Sequence, residues 1–201
     1  MDTGRDRIVA AARELLQDSA DEGFSIDAVA KRAGVSRMTI YNQFESKAGL
    51  LEALFDSLAA KGPFRHMPDI FAEPDPHVAL DAFITIMGRF WTYSRGAHLK
   101  LRAAAINDPE LRVAITARSE RRRRGVETLV QRLADHIHPV VRDAEVVQVL
   151  FVLLSFDTFD ALAGEDREPI DVVPTMKRLV RATLGLDGVS AAPSSRAGRR
   201  R

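Results

Sequence analysis

Apolar residues recur every three or four positions along most of the chain, the spacing that places them on one face of an α-helix. Such runs extend from Ile8 to Leu16, from Ile26 to Ala33 and from Leu50 to Leu58. No segment alternates apolar and polar residues as a half-buried strand does, and no unit repeats along the chain. The pattern therefore predicts an all-α fold.

Two predicted helices in the segment SIDAVAKRAGVSRMTIYNQF are joined by a short turn. Ser25 and Ser36 each stand where a hydroxyl group can cap a helix N-terminus. Gly34 stands at the end of the first helix, where a left-handed backbone conformation is cheap only without a Cβ atom. Two helices joined by such a turn predict a helix-turn-helix, the N-terminal part of a three-helix domain.

The second helix of this pair carries more hydrogen-bonding side chains than packing needs. Only Ile40 and Phe44, four residues apart, are placed to anchor it on a core. The remaining side chains suit a helix in the DNA major groove, and no carboxylate on the same helix neighbours Arg37. We assign base contacts to Arg37, Met38, Asn42 and Gln43, with phosphate possible for the last two, and phosphate contacts to Thr39, Tyr41 and Lys47. The alternative is a small solvated helix between two packed ones.

The segment from Ile8 to Leu54 resembles the DNA-binding domain of TetR-family transcriptional regulators. It contains Ala-Gly-Val-Ser at the turn, Thr-Ile-Tyr-x-x-Phe in the second helix and Ser-Lys-x-x-Leu after it, in the family's order and without gaps. Two positions depart from the family pattern: Met38 replaces a small residue, and Asn42-Gln43 replaces an aromatic or histidine pair. The resemblance implies phosphate contacts from Ser25, Ser36, Thr39, Tyr41 and Lys47, base contacts from Arg37 and Met38, and a mixed role for Gln43.

Composition changes along the chain and predicts its organisation. A proline-rich segment, PFRHMPDIFAEPDP, separates the N-terminal helices from a longer helical region, and the C-terminal end is small, polar and basic. We predict a helix-turn-helix domain at residues 1–60, an irregular linker at 61–75, a helical effector-binding and dimerisation domain at 76–187, and a disordered basic tail at 188–201.

The larger domain has clear helix starts. Asp75-Pro76 and Asp108-Pro109 each combine a capping side chain with a proline in the first turn. Two further helices are predicted at 144–163 and 174–184, and the first is apolar on more than one face. Such a helix needs neighbours on all sides, either from a second copy of the chain or from the core of one protomer. The TetR resemblance implies a homodimer that joins two helices from each copy in a four-helix bundle.

Large apolar side chains in this domain either fill its core or line a ligand cavity. The candidates for an effector site are Phe83, Met87, Phe90, Trp91, His98, Phe151, Phe156 and Asp157. Asp157 and Asp160 lie three residues apart in an apolar helix, so each needs a cation from a ligand or from an arginine of the protein. The basic run RSERRRRG, from Arg118 to Gly125, is either a second nucleic-acid patch or a solvated surface facing the acidic N-terminal domain.

Composition excludes several classes of protein. The chain has 201 residues, a net charge of +1 and no cysteine, so thiolate metal sites and disulfides are excluded. We expect neither a signal peptide nor a membrane helix, and therefore a cytoplasmic protein. Residues 1–60 hold seven Lys/Arg and ten Asp/Glu, so any DNA contact must rely on a local cluster of cations. No catalytic motif, metal site or cofactor-binding loop is found.

These observations favour a DNA-binding transcriptional regulator over an enzyme. We expect a repressor that binds a palindromic operator as a homodimer and is released by an unknown small-molecule effector. Two alternatives remain: a constitutive regulator whose core is full, and a helical small-molecule-binding protein or enzyme whose N-terminal packing unit merely resembles a helix-turn-helix.

Overall fold

The computed structural model describes residues 3–17, 24–135, 137 and 144–186. These residues form ten α-helices and two short 3-10 helices and no β-strand, which confirms the all-α prediction. The α-helices, numbered α1 to α10 in chain order, are Gly4–Gln17, Ile26–Ala33, Arg37–Phe44, Lys47–Lys61, Met67–Ala72, Pro76–Ala105, Pro109–Arg132, Ala144–Leu153, Phe156–Ala163 and Val173–Thr183. The 3-10 helices are Pro63–His66 and Pro169–Val172.

The first four helices pack around one apolar core. Helix α1 contacts α2 and α4, and α3 contacts the same two helices. Each of the four contributes a fully buried side chain: Ile8, Val29, Ile40 and Leu54. The short helix α3 is therefore held on one face by its neighbours and is free on the other.

Serine side chains begin three of these helices, as the sequence predicts. Each hydroxyl oxygen accepts a hydrogen bond from the backbone N–H three residues later: Ser25 from Ala28 at 3.1 Å, Ser36 from Thr39 at 3.1 Å and Ser46 from Gly49 at 3.0 Å. Gly34 ends α2 in the left-handed conformation, with φ of 65°. The serine caps and the glycine at the turn of the helix-turn-helix are thus the ones that the sequence predicts.

Helix α6 is the centre of the remaining structure. It is 30 residues long and contacts α1, α5, α7, α9 and α10. Its start is the predicted one, because a carboxylate oxygen of Asp75 accepts hydrogen bonds from the N–H groups of His77 at 2.8 Å and Val78 at 3.4 Å. Asp108 begins α7 in the same way, accepting from the N–H of Leu111 at 3.0 Å.

Residues 61–75, predicted to be irregular, are largely helical. They contain the 3-10 helix Pro63–His66 and helix α5. Phe64 stacks on Phe90 of α6 with ring centroids 3.9 Å apart, and Ile70 is buried. Prolines are tolerated in the first turn of a helix, where the missing N–H has no partner to lose. The prolines that suggested an irregular segment instead begin two short helices, although the proposed domain boundary itself stays a prediction.

The predicted helix at 144–163 is broken into α8 and α9. Ser155 caps α9, and the hydroxyl of Thr158 donates to the carbonyl of Val152 at 2.7 Å. Serine and threonine offer the backbone such local alternatives, which explains the break inside an apolar run. In the part of the chain that the structure describes, no single helix is long and apolar enough to cross a membrane; only Glu145–Leu153 with Phe156–Ala163, bent by 48°, reach that length and composition together.

Two predictions concern residues outside the described ranges. Pro139 predicts the end of the helix that became α7, because proline cannot continue a helix, but α7 ends at Arg132 and Pro139 lies outside the described residues. The basic tail at 188–201 lies outside them as well. Helix α10 spans Val173–Thr183, close to the predicted 174–184.

The two glycines of α6 differ in their surroundings, and this difference predicts opposite effects of alanine. A Cβ atom at Gly88 would lie 2.3 Å from Cγ2 of Val173, whereas at Gly96 the nearest heavy atom is 4.0 Å away. We expect Gly88→Ala to lower stability, because overpacking costs about 1–3 kcal/mol and exceeds the roughly 1 kcal/mol gained in helix propensity.

Gly96→Ala is the matched control and should raise stability by up to about 1 kcal/mol. Urea unfolding of both variants measures the two changes in the free energy of unfolding. A Gly88→Ala variant as stable as Gly96→Ala would show that α6 does not approach Val173 so closely.

Candidate nucleic-acid interface and internal cavity

The outer face of α3 consists of the side chains predicted to touch DNA. Arg37, Met38, Tyr41, Asn42 and Gln43 are all exposed, and Met38 is 67% exposed despite being apolar. The two residues predicted to anchor the helix, Ile40 and Phe44, are 0% and 4% exposed. Exposed side chains with mixed hydrogen-bonding chemistry on one face of a helix that is anchored from behind can follow a groove of DNA.

Arg37 has a partner that the sequence analysis did not foresee. Its Nε lies 3.3 Å from a carboxylate oxygen of Asp27, which belongs to the preceding helix α2. The side chains of both residues are more than half exposed, at 60% and 67%. An exposed ion pair contributes about 0–1 kcal/mol, so the guanidinium group can leave Asp27 for a base or a phosphate at small cost.

Lys47, predicted to bind phosphate, is paired with a carboxylate in this structure. Its ammonium group contacts Asp108 at the start of α7. The next backbone N–H, of Ala48, lies 3.4 Å from a carboxylate oxygen of Glu110. The N-terminus of α4 attracts anions through its free N–H groups and its dipole. Two acidic residues of α7 therefore occupy the place that the sequence predicts for a DNA phosphate.

The carboxyl group of Asp108 responds to this contact. The hydrogen bond from Lys47, followed by that from the N–H of Leu111, holds the pKa of Asp108 below its usual value. A lowered pKa means that the pairing stabilises the fold at neutral pH and that this contribution is lost as the pH falls through the lowered value. The contact is thus complete under ordinary conditions.

Arg5 adds a cation beside α3 and was missed by the sequence analysis. Its guanidinium group donates to the backbone carbonyl of Gln43 at 2.5 Å and lies 4.3 Å from the ring centroid of Phe44. It thereby places a positive charge at the C-terminal end of α3, near the other exposed polar side chains. The position of Arg5 on the exposed face of α1 gave no indication of this contact.

A cavity of about 340 Å³ lies between α4, α5, α6, α7 and α9. Seven of the eight effector-site candidates line it: Phe83, Met87, Phe90, Trp91, His98, Phe156 and Asp157. Phe151 does not line it; its ring instead lies under the guanidinium groups of Arg122 and Arg123, 4.4 and 4.2 Å from the ring centroid. Phe55, Phe64, Met67 and Phe71 complete the apolar wall and come from segments assigned to the N-terminal domain and the linker.

His98 lies among the aromatic rings of this cavity and is neutral. It stacks on Phe156 with centroids 4.9 Å apart and meets Trp91 edge-on at 4.9 Å. Its Nδ1 lies 3.1 Å from the carbonyl oxygen of Ser94, which can only accept, so Nδ1 carries the proton. Burial lowers the pKa of His98 to about 4. His98 can therefore accept a hydrogen bond through Nε2 but brings no charge.

The two carboxylates that needed a cation both have arginine partners from α6. Asp160 accepts from Nε of Arg95 at 2.7 Å, and Asp157 is paired with Arg102. The interpretation of these residues as protein salt bridges is confirmed by these contacts. Asp157 lies on the wall of the cavity with its charge already balanced.

The basic run in α7 divides between the surface and the cavity. Arg118 and Arg121 pair with Asp56 at 2.6 and 3.2 Å, and Arg121 also pairs with Glu52 at 2.7 Å. These carboxylates belong to α4, so this part of the run faces acidic residues of the N-terminal domain, as one of the two interpretations held. Arg118, Arg121 and Arg122 all line the cavity, but Arg122 has no carboxylate partner among the described residues.

Spacing could have identified Arg122 as an inward-facing residue. It lies seven positions after Ile115 and four before Val126, which places it on the buried stripe of α7. The four consecutive arginines hid this periodicity. In the described part of the chain no group of three or more His, Cys, Asp or Glu side chains is placed to hold a metal ion.

Comparison with known proteins agrees with this geometry. Residues 8–54 match the family model described as bacterial regulatory proteins of the tetR family. This segment is a TetR-family DNA-binding domain. No curated protein sequence matches the chain. The match identifies residues 8–54 as the DNA-binding helix-turn-helix of a transcriptional regulator.

Solved structures show that the fold extends beyond the matched segment. A transcriptional regulator from Rhodococcus sp. Rha1 has a TM-score of 0.59 and 19% identity, covering 95% of this chain and 100% of that one. The multidrug binding protein EbrR complexed with imidazole has a TM-score of 0.56 and 20% identity, covering 96% and 98%. A transcriptional regulator from Aquifex aeolicus VF5 has a TM-score of 0.54 and 18% identity, covering 92% and 99%. At these identities the likeness establishes the fold.

Helix α4 joins the two candidate sites. Its first residue is Lys47, next to α3, and its later residue Phe55 lines the cavity. Along its length α4 packs against α7, through Asp108 at one end and Arg118 at the other. A change in the cavity that moves α7 relative to α4 therefore reaches the helix that follows α3.

Removing the charge of Asp108 should strengthen DNA binding. In Asp108→Asn the side chain can still cap α7, because asparagine caps helices as well as aspartate does, but it no longer holds Lys47 by charge. We expect operator affinity to rise severalfold at low salt, since Lys47 becomes available for phosphate. Fluorescence anisotropy with labelled duplex measures this change.

Lys47→Ala is the reference for this prediction. It should weaken binding to all sequences about equally and reduce the slope of log affinity against log salt by roughly one per half-site. If Asp108→Asn left DNA affinity unchanged in a protein whose Lys47→Ala variant is weakened, the pairing would not compete with phosphate.

Arg37 should set sequence preference at one symmetric pair of operator positions. It follows the cap Ser36, at the end of α3 that a recognition helix turns toward the bases, and Asp27 holds it only weakly. We expect Arg37→Ala to cost about 1–3 kcal/mol per half-site and to relax the preference there. A panel of single-base operator variants tests this, and an unchanged preference profile would place Arg37 on phosphate instead.

Proposed function

We propose that this TetR-family regulator is a cytoplasmic repressor that binds a palindromic operator as a homodimer and releases it when a small molecule fills the cavity. The observation that carries the proposal is helix α4, which places its N-terminus beside the DNA-facing helix and its middle in the cavity wall. The proposal includes the domain division at residues 1–60, 61–75, 76–187 and 188–201, and the DNA contacts assigned to α3 and its neighbours.

The cavity favours a ligand-responsive regulator over a constitutive one. A volume of about 340 Å³ with a mainly aromatic wall falls in the range of small-molecule sites. A core that was simply filled would not leave this space, because protein interiors are close-packed. The similar fold of EbrR, which is described as a multidrug binding protein, was solved with imidazole bound, and this supports small-molecule binding by such a scaffold.

The effector acts only if it binds two arrangements of the dimer with different affinity. DNA-competent recognition helices would stand about 34–36 Å apart, one turn of the double helix. Filling the cavity would move α7 and, through the ion pairs to Asp56 and Glu52, the helix α4. A dimer whose α4 helices have shifted no longer matches that spacing.

The dimer proposal is supported by apolar side chains left uncovered on α8 and α10. Val149 and Val152, three residues apart on α8, are 39% and 51% exposed, and Leu179 of α10 is 40% exposed. These two helices pack against each other, so their exposed side chains extend one surface. A second copy would cover it and form a four-helix bundle.

Charge placed on this surface should break the dimer without unfolding the protomer. Leu154 is unsuitable for this test, because it is 1% exposed and an arginine there would disrupt the protomer itself. Val152→Arg is suitable, and we expect it to sediment as a monomer at micromolar concentration. Val113→Arg, at a valine of α7 that is 68% exposed, is the matched control and should remain dimeric. A monomeric wild-type protein would contradict the proposal.

The proposed function as a whole is tested by selecting bound duplexes from random DNA. The expected product is an inverted repeat whose half-site centres lie about one helical turn apart. Selection of an asymmetric site, or no enrichment above competitor DNA, would contradict binding by a symmetric dimer.

A further inference from the structure

Arg122 is a half-buried cation that has no anionic partner among the described residues. Its Nε is inaccessible to solvent and has no hydrogen-bond partner. Its Nη2 lies 3.5 Å from the carbonyl oxygen of Phe151, at the outer limit of a hydrogen bond. Within the described residues no carboxylate lies within ion-pair distance of this guanidinium group. Buried arginine is normally paired, because an unpaired buried charge is costly.

The neighbouring arginines show how unusual this arrangement is within the same helix. Arg118 and Arg121 are paired with acidic residues of α4. Arg123 is paired with Glu120, with Nε and the carboxylate oxygen 3.0 Å apart. The acidic residue closest to the cavity, Asp157, is taken by Arg102. Every nearby carboxylate is therefore occupied by another arginine.

Contacts with aromatic rings offset only part of the free-energy cost of removing the charge of Arg122 from water. Its guanidinium carbon lies 4.4 Å from the ring centroid of Phe151 and 5.7 Å from that of Trp91. A cation over an aromatic face gains about 0.5–2 kcal/mol, which is less than a buried charge loses in leaving water. Burial accordingly lowers the pKa of Arg122 to about 10, which still leaves the group charged at neutral pH.

The other charged side chains that line the cavity are already paired. Arg102 pairs with Asp157, and Arg118 and Arg121 pair with acidic residues of α4. The titratable group among the rings, His98, is neutral. An occupant therefore meets an aromatic surface and one cation that has no carboxylate partner among the described residues.

We propose that the cavity binds an organic carboxylate whose apolar, ring-sized body lies among the aromatic side chains and whose carboxylate group pairs with Arg122. This inference rests on the proposed function of the cavity as the effector site and names its ligand class. The planar guanidinium group can offer its two Nη groups to the two oxygens of a carboxylate, a charged pairing that a neutral amide on the ligand cannot make. His98, through its free Nε2, can accept a hydrogen bond from a donor elsewhere on the ligand.

A pair of ligands that differ only in charge tests the proposal. Calorimetric titration of the full-length protein with 2-naphthoate and with 2-naphthamide compares one ring bearing a carboxylate and a neutral amide. We expect the wild type to bind 2-naphthoate at least about tenfold more tightly, a difference of about 1.4 kcal/mol. Equal affinities, or no binding of either compound, would overturn the proposal.

Variants of Arg122 test whether this residue causes the preference for 2-naphthoate over 2-naphthamide. In Arg122→Met the charge is removed while much of the side-chain volume is kept, so both compounds should bind with similar affinity. In Arg122→Lys the preference should be reduced but present, since a lysine supplies charge without the two-pronged geometry. Arg124→Met is the control: Arg124 is exposed on the same helix and does not line the cavity, so the full preference should remain. An anion preference that survives in Arg122→Met would overturn the proposal.

Stability in the absence of ligand provides a second measurement. Because Arg122 is a half-buried charge without a carboxylate, Arg122→Met should not lower the melting temperature and should raise it, whereas breaking an existing buried ion pair would lower it. A clear decrease in melting temperature would show that Arg122 already has a stabilising partner and would contradict the proposal. If Arg122→Met failed to fold, that result would count in the same way.

Failure of this inference can be separated from failure of the proposed function. Ligand preference is measured without DNA, and operator binding is measured both without and with 2-naphthoate. Operator binding with no preference for 2-naphthoate rejects the anion class only. A preference that depends on Arg122, together with no effect of 2-naphthoate on operator binding, supports the ligand class and rejects release by an effector.

Discussion

The contact between α4 and α7 is the constraint on which both sites of this molecule depend. Helix α4 begins at Lys47 beside the DNA-facing helix and passes the cavity at Phe55. Helix α7 holds α4 at its start through Asp108 and further along through Arg118 and Arg121. The position of the recognition helix is therefore tied to the helix that carries the cavity's unpaired arginine.

The strength of the contact between α4 and α7 is compatible with the proposed movement of α4. Helix α4 is held in the structure by apolar burial, with Leu51, Leu54 and Leu58 all buried. The ion pairs between α4 and α7 are partly exposed and contribute about 0–1 kcal/mol each, so they select the register of the two helices more than they add stability. A tenfold change in operator affinity requires only about 1.4 kcal/mol. Rearranging two such ion pairs can change the free energy of operator binding by about this amount.

Local chemistry in the sequence predicted much of the fold. Serine and aspartate caps with glycine or proline at known offsets predicted the starts of α2, α3, α4, α6 and α7, because these signals act within a few residues of one another. The break between α8 and α9 was missed because a lone Ser155 in an apolar run does not distinguish an interior residue from a cap. Glu45 joins α3 to α4 with φ of 66°, a conformation that no glycine in the sequence announced there.

In the candidate sites, too, the features that follow from local sequence were predicted and those that depend on tertiary packing were not. The exposed face of α3 follows from the spacing of Ile40 and Phe44, which is local information. The partners of Lys47 and Arg37 come from other helices and depend on tertiary packing. Seven of the eight predicted cavity residues line the cavity, because large apolar residues on the inner faces of α6 and α9 have few other places to lie. Arg122 was missed because a charged residue is expected at the surface, although its spacing places it on the buried stripe of α7.

In the proposed mechanism the cavity and helix α3 are coupled through α4, and coupling between two binding sites is reciprocal. The most direct measurement is the affinity of the wild-type protein for 2-naphthoate, by calorimetry, with and without saturating operator duplex. If this coupling exists, operator DNA weakens 2-naphthoate binding by the same factor by which 2-naphthoate weakens operator binding. An affinity for 2-naphthoate that is the same in the presence and absence of operator would contradict it.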